Sequence, residues 1–172
     1  MFEDRLAAAQ RGDFATALKF LRPLAEQGDA GAQYNLGLMY YNGEGVPRDF
    51  TEAEKWLRMA ANQGNAQAQY NLGVMCTNGL GVTQDFVEAV KWNRKAAEQG
   101  HVEAQNKLGV VYSFGRGIPQ DYVQAHMWFN LAAVQGYDKA QKGRDFIAGK
   151  MASDQIAEAQ RMAREWMAKH QQ

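Results

Sequence analysis

Apolar residues recur in this chain with two periods at once. Within a segment they fall three to four residues apart, the spacing of one face of an α-helix. Between segments they return every 36 residues: Ala32-Gln33-Tyr34-Asn35-Leu36-Gly37-Leu38-Met39-Tyr40 is followed by Ala68-Gln69-Tyr70-Asn71-Leu72-Gly73-Val74-Met75-Cys76 and by Ala104-Gln105-Asn106-Lys107-Leu108-Gly109-Val110-Val111-Tyr112. A second helical pattern follows each copy. It reads Ala53, Trp56, Leu57, Ala60; then Ala89, Trp92, Ala96; then Ala125, Trp128, Phe129, Ala132.

The breaks between helices share the period. Gly28, Gly64, Gly100 and Gly136 each follow a glutamine at the end of a helical stretch, where glycine accepts the left-handed conformation that closes a C-terminus. The loops Asn42-Gly43-Glu44-Gly45-Val46, Asn78-Gly79-Leu80-Gly81-Val82 and Phe114-Gly115-Arg116-Gly117-Ile118 lead to Asp49, Asp85 and Asp121, with Glu52, Glu88 and Gln124 three residues on. That is the capping-box spacing and marks helix starts. Three helix–loop–helix blocks are therefore expected at 29–64, 65–100 and 101–136. A helix pair precedes them in residues 1–28, with Asp13 capping the second helix. A degenerate capping unit, 137–172, follows; it keeps Ala140, loses the Leu-Gly pair to Arg144 and Asp145, and ends in a helix capped by Ser153.

On a helical wheel at about 100° per residue, the first helix of each block carries two stripes. Ala32, Leu36 and Tyr40 form one. Tyr34, Leu38 and Tyr41 form the other, on nearly the opposite side. Gly37, Gly73 and Gly109 each cost about 1 kcal/mol in a helix interior, so close helix–helix approach is the expected compensation, and a larger side chain there should overpack. One block cannot bury both faces alone. Stacking supplies the rest, which predicts an all-α fold: a right-handed α/α superhelix, or solenoid, of helix–loop–helix repeats forming one domain over 1–172.

Composition narrows the function. Apolar residues make up 46% of the 172, as in globular chains, and 19 acidic residues balance 19 basic ones. Such a balance, with the charges scattered, predicts no attraction to nucleic acid, and no apolar run is long enough for membrane insertion. Met1-Phe2-Glu3-Asp4 leads straight into a helical pattern without a secretion signal. The expectation is a soluble protein, cytoplasmic as given or periplasmic or secreted if a signal was removed before Met1.

The Ala-x-x-x-Leu-Gly-x-x-Tyr helix, the Gly-x-Gly-Val/Ile loop, the following Asp, the Ala-x-x-Trp helix and the closing Ala-x-Gln-Gly resemble the Sel1-like repeat family, a relative of tetratricopeptide repeats. The resemblance is strongest over residues 25–136, while residues 1–28 look like a truncated tetratricopeptide unit. It implies a bacterial adaptor or scaffold for protein complexes, in a family whose members are often secreted. Some relatives rich in paired cysteines are linked to β-lactams. The single Cys76 and the absence of Ser-x-x-Lys give that activity no support here.

The candidate site is the second stripe, which varies along the array: Tyr34, Leu38, Tyr41; Tyr70, Val74, Thr77; Asn106, Val110, Ser113. In similar repeats this face lines the concave groove. Partner binding is therefore assigned to Tyr34, Leu38, Tyr41, Tyr70, Val74, Asn106 and Val110, and the alternative is that they pack between neighbouring first helices. The expected function is a non-catalytic module that presents this groove to a protein or peptide. The other reading is a structural unit that self-assembles through its ends, giving a weak homo-oligomer, with Trp166 either docking the last helix or lying in an apolar end face. No cofactor and no enzyme activity are expected. The glycine loops lack Gly-Lys-Ser/Thr, the aspartates sit at cap positions, and His101, His126 and His170 have no metal-ligand spacing and read as surface residues. Cys76 reads as a buried thiol, and Trp56, Trp92 and Trp128 as packing rather than carbohydrate-stacking residues.

Overall fold

The computed structural model of the chain describes residues 13–170. All regular structure among them is helical. The helices are α1 (Phe14–Glu26), α2 (Ala30–Asn42), α3 (Phe50–Asn62), α4 (Ala66–Asn78), α5 (Phe86–Glu98), α6 (Val102–Phe114), α7 (Tyr122–Ala133), α8 (Asp138–Ala148) and α9 (Ser153–His170). The helix expected near Leu6–Ala9 lies outside the described residues. The chain groups into two compact units, Met1–Gln84 and Asp85–Gln172. In the first unit α1, α2, α3 and α4 pack consecutively; in the second, α5 packs on α6, α6 on α7, and α7 on both α8 and α9.

Caps set the starts. Asp49 Oδ1 accepts from the amides of Thr51 and Glu52, Asp85 Oδ1 from Val87 and Glu88, and Asp121 Oδ1 from Gln124. At Asp49 and Asp121 only half of the expected capping box forms. The Asp49 amide donates to the Tyr40 carbonyl and the Asp121 amide to Tyr112, so these cap amides close the loop onto the first helix instead of meeting Glu52 or Gln124. At α9 the other half is present: Gln155 Oε1 accepts from the Ala152 amide, so Ala152 holds the cap position and Ser153 is the first helical residue.

Between α1 and α2 the link is three residues long. The Gly28 amide bonds to the Ala25 carbonyl and the Asp29 amide to Leu24, a Schellman closure with Gly28 at φ +96°. Asp29 then caps α2 through the Ala32 amide at 2.7 Å. Asn65 and His101 repeat that cap at 2.9 and 3.4 Å, a series the wheel did not single out.

The invariant stripe is core. Ala32, Leu36, Ala68, Leu72, Ala104 and Leu108 are fully buried, and Trp56, Trp92 and Trp128 nearly so, as packing residues should be. Gly37 and Gly109 act as expected. A Cβ on Gly37 would lie 2.7 Å from Leu57 Cγ, and one on Gly109 2.5 Å from the Phe129 ring. The last unit has not abandoned the device, because Gly143, two positions before the expected site, meets the same Cδ1–Cε1 edge of Phe129, where a Cβ would lie 2.7 Å from the ring.

Candidate interaction surface

The seven residues assigned to partner binding are all partly exposed. Tyr34, Leu38 and Tyr41 lie on α2 and Tyr70 and Val74 on α4, both in the first unit. Asn106 and Val110 lie on α6 in the second. Their stripe leaves the core because Ala32, Leu36 and their counterparts hold the opposite side of the same helices. Tyr41 meets Phe50 edge-on at 5.3 Å between ring centroids. Tyr34 is hydrogen-bonded to the Asn71 side chain, which ties α2 to α4, and its burial pushes the phenol above its ordinary pKa despite that bond. Where the stripe runs on to Thr77 and Ser113, each hydroxyl donates to its own helix, to the Gly73 and Gly109 carbonyls, and Ser113 is buried.

Behind this face lies a set of buried amides that the hydropathy pattern hid. Gln33, Gln69 and Gln105 are buried, and their Nε2 atoms donate to the carbonyls of Ala25, Ala61 and Ala97 in the preceding helix. Gln63 Nε2 donates to Gln33 Oε1 and to the Gly28 carbonyl, and Gln135 Nε2 to Gln105 Oε1. The glutamines before Gly64 and Gly136 are thus the partners of the glutamines opening α2 and α6. Their separation of 30 residues was visible in the chain, but amphipathicity assigns glutamine to the surface.

A second hidden pair is Arg22–Tyr40 and Arg94–Tyr112, guanidinium to hydroxyl at 2.7 and 2.5 Å. In the intervening repeat the tyrosine is Cys76, buried as expected, and Arg58 pairs instead with Glu54.

The histidines divide, and one expectation is overturned. His126 is not a surface residue. It is buried at 3% exposure on α7, and its Nδ1 has no hydrogen-bond partner among the described residues. Burial holds its pKa below the ordinary value; nearby Arg144 adds to this and Asp145 opposes it. His101 is also largely buried, its side chain 12% exposed, and caps α6 by accepting from the Ala104 amide; burial depresses it too, against the pull of Glu103. Both native imidazoles resist protons that the unfolded chain accepts at about pH 6.5. Their stabilising contribution is therefore whole above that pH and falls as the pH drops below it towards the folded-state values. The urea midpoint should be lower at pH 5.5 than at pH 7.5, and His126→Gln should flatten the difference. An equal pH dependence in the variant would show that His126 does not carry it.

Other chemistry is sparse. Among the described residues no group of three His, Cys, Asp or Glu side chains could hold a metal ion, and no helix is long and apolar enough to cross a membrane.

Comparison with known proteins agrees with this geometry. The family model for the Sel1 repeat matches four times, over residues 5–29, 30–65, 66–101 and 102–137, so the leading unit is itself a Sel1 repeat. No curated protein matches significantly. Among solved structures, a Sel1 repeat protein from Oxalobacter formigenes is 36% identical with a TM-score of 0.77, over 80% of this chain and 56% of that one. A protective antigen present in uropathogenic Escherichia coli strains, displaying an SLR fold, is 36% identical with a TM-score of 0.83, over 90% of this chain and 33% of that one. The chain thus spans less than two thirds of the length of either. With four matched repeats covering most of its length, and a core built on the repeated Ala, Leu, Gly and Trp positions, the chain belongs to the Sel1 repeat family.

Proposed function

We propose that this chain is a non-catalytic interaction module that holds a peptide or partner protein on the varying stripe of its first helices. Sel1 repeat proteins generally serve as protein–protein interaction modules. The observation that carries the finer reading is a contrast within single helices. In α2 the invariant Ala32 and Leu36 are fully buried, while Tyr34, Leu38 and Tyr41 stay partly exposed on the other side. Tyr70 and Val74 repeat this on α4, and Asn106 and Val110 on α6. Residues freed from packing can vary, and they grade from aromatic and aliphatic to polar. Partly exposed aromatic and aliphatic side chains supply the apolar anchors that helical grooves use for peptides.

The test is the double variant Leu38→Glu, Val74→Glu. Affinity capture from native extract should recover a specific partner with the wild-type chain and lose it with the variant, at least tenfold, while far-UV circular dichroism and the urea midpoint show a folded protein. Retention of that partner by the folded variant would remove this face as the site.

A further inference from the structure

A second surface in the Asp85–Gln172 unit has a chemistry of its own. A cleft of about 570 Å³ is lined by Glu98, Gly100, Val134, Gln135, Trp166 and His170, among others. Every one of these lies in the last turn of a helix or just beyond it: Glu98 and Gly100 at the end of α5, Val134 and Gln135 at the end of α7, Trp166 and His170 at the end of α9. Three helix C-termini therefore meet here, each bearing about half a negative charge on its terminal carbonyls. Glu98 adds a full negative charge, is exposed, and makes no ion pair among the described residues. No Lys or Arg lines the cleft. The lysine in the last turn of α5, Lys95, lies over the Trp92 ring at 4.6 Å instead. The wall is aromatic: Trp166 stacks with His170 at 3.8 Å and is held edge-on by Trp128 at 6.3 Å. Gln135 has its amide N–H groups engaged by Gln105 Oε1 and the Leu131 carbonyl, so what it retains is acceptor capacity.

We propose that this cleft binds the guanidinium of an arginine side chain presented by a partner protein segment. The site offers acceptors, negative potential and an aromatic wall, and lacks a cation of its own. A guanidinium is planar, permanently charged and weakly hydrated. It stacks on an indole while its N–H fork meets a carboxylate, whereas the compact, strongly hydrated ammonium of lysine uses the wall less well. None of the residues lining this cleft belongs to the stripe on α2, α4 and α6, so the titration below reports on the cleft alone.

The full chain is titrated with the blocked tripeptide acetyl-Leu-Arg-Leu-amide, its lysine and citrulline counterparts, and arginine amide. The readout is the Trp166 indole NMR signal, assigned through Trp166→Phe. The arginine peptide should shift that signal saturably and bind about tenfold more tightly than the citrulline peptide, with lysine between them. Glu98→Gln should abolish the difference without moving the unfolding midpoint. The proposal is overturned if citrulline binds as well as arginine, if Glu98→Gln binds as the wild type does, or if Trp166 does not respond at millimolar peptide. Arginine amide binding as tightly as the peptide would overturn the assignment to a partner segment.

Discussion

Phe129→Ala is expected to lower the free energy of unfolding by about 3–5 kcal/mol, the range for removing a buried aromatic ring. The upper part of that range is expected because of what surrounds the ring. Gly109 and Gly143 both lie against its Cδ1–Cε1 edge, close enough that a Cβ on either would overlap it, at 2.5 and 2.7 Å. Neither glycine has a side chain to swing into the void, so the site collapses poorly and the cavity remains. The same geometry predicts coupling. Gly109→Ala should destabilise the wild type by overpacking, yet in the Phe129→Ala background its methyl fills part of the cavity and should restore stability. Urea denaturation of the four proteins in this cycle gives the coupling, expected to exceed about 0.5 kcal/mol in favour of the double variant. A cost for Phe129→Ala below about 2 kcal/mol, under the lower limit for such truncations, would mean that the helices close over the gap.

The second large effect is at a loop glycine. Gly81→Ala should cost about 2–5 kcal/mol, combining left-handed strain with overpacking. Gly81 has φ +69°, and a Cβ there would lie 2.2 Å from the Phe50 carbonyl oxygen and 2.9 Å from the Thr51 nitrogen. Those atoms are backbone at the start of α3, which cannot rotate away as a side chain could. Gly64→Ala is the matched control, because Gly64 has φ +92° with nothing within 4 Å of a Cβ and should cost only the conformational strain, about 1–2 kcal/mol. Both changes restrict the unfolded chain alike, so that contribution cancels in the comparison. Equal losses at the two sites, measured as urea midpoints with unchanged slope, would show that the α3 backbone yields to the methyl group.

Gly45 and Gly117 place the same demand on Phe14 and Phe86. In the sequence these loops mark only the breaks between helices. They are also contacts between repeats, each loop docking on the first residue of the preceding second helix. The spacing was in the sequence, since Phe14, Phe50 and Phe86 share the 36-residue period, but a glycine needed for φ and one needed for close approach look alike in a sequence.

The candidate surfaces were legible to different depths. The varying stripe on α2, α4 and α6 could be drawn on a wheel because helical spacing determines which side chains share a face. The cleft beside Trp166 could not, because its lining comes from the ends of α5, α7 and α9, separated by tens of residues and brought together only by packing. Periodicity places His126 at the surface for a related reason: it ranks a lone imidazole as polar, while the buried Met127, Trp128 and Phe129 beside it show how fully α7 is enclosed.

Local chemistry repeated in register determined the helices, their aspartate caps, the glycine closures and the buried Ala, Leu and Trp positions, because each depends on residues within about one turn of one another. Tertiary structure alone decided the rest: that Gln33 and Gln105 are buried and joined to Gln63 and Gln135, that Arg22 and Arg94 reach Tyr40 and Tyr112, that two glycines meet one edge of Phe129, and that three helix ends meet at Glu98 and Trp166. Each of these joins groups from different helices, and a buried polar atom takes whichever partner packing brings within reach, because leaving it unpaired costs more than the pattern along one helix reveals.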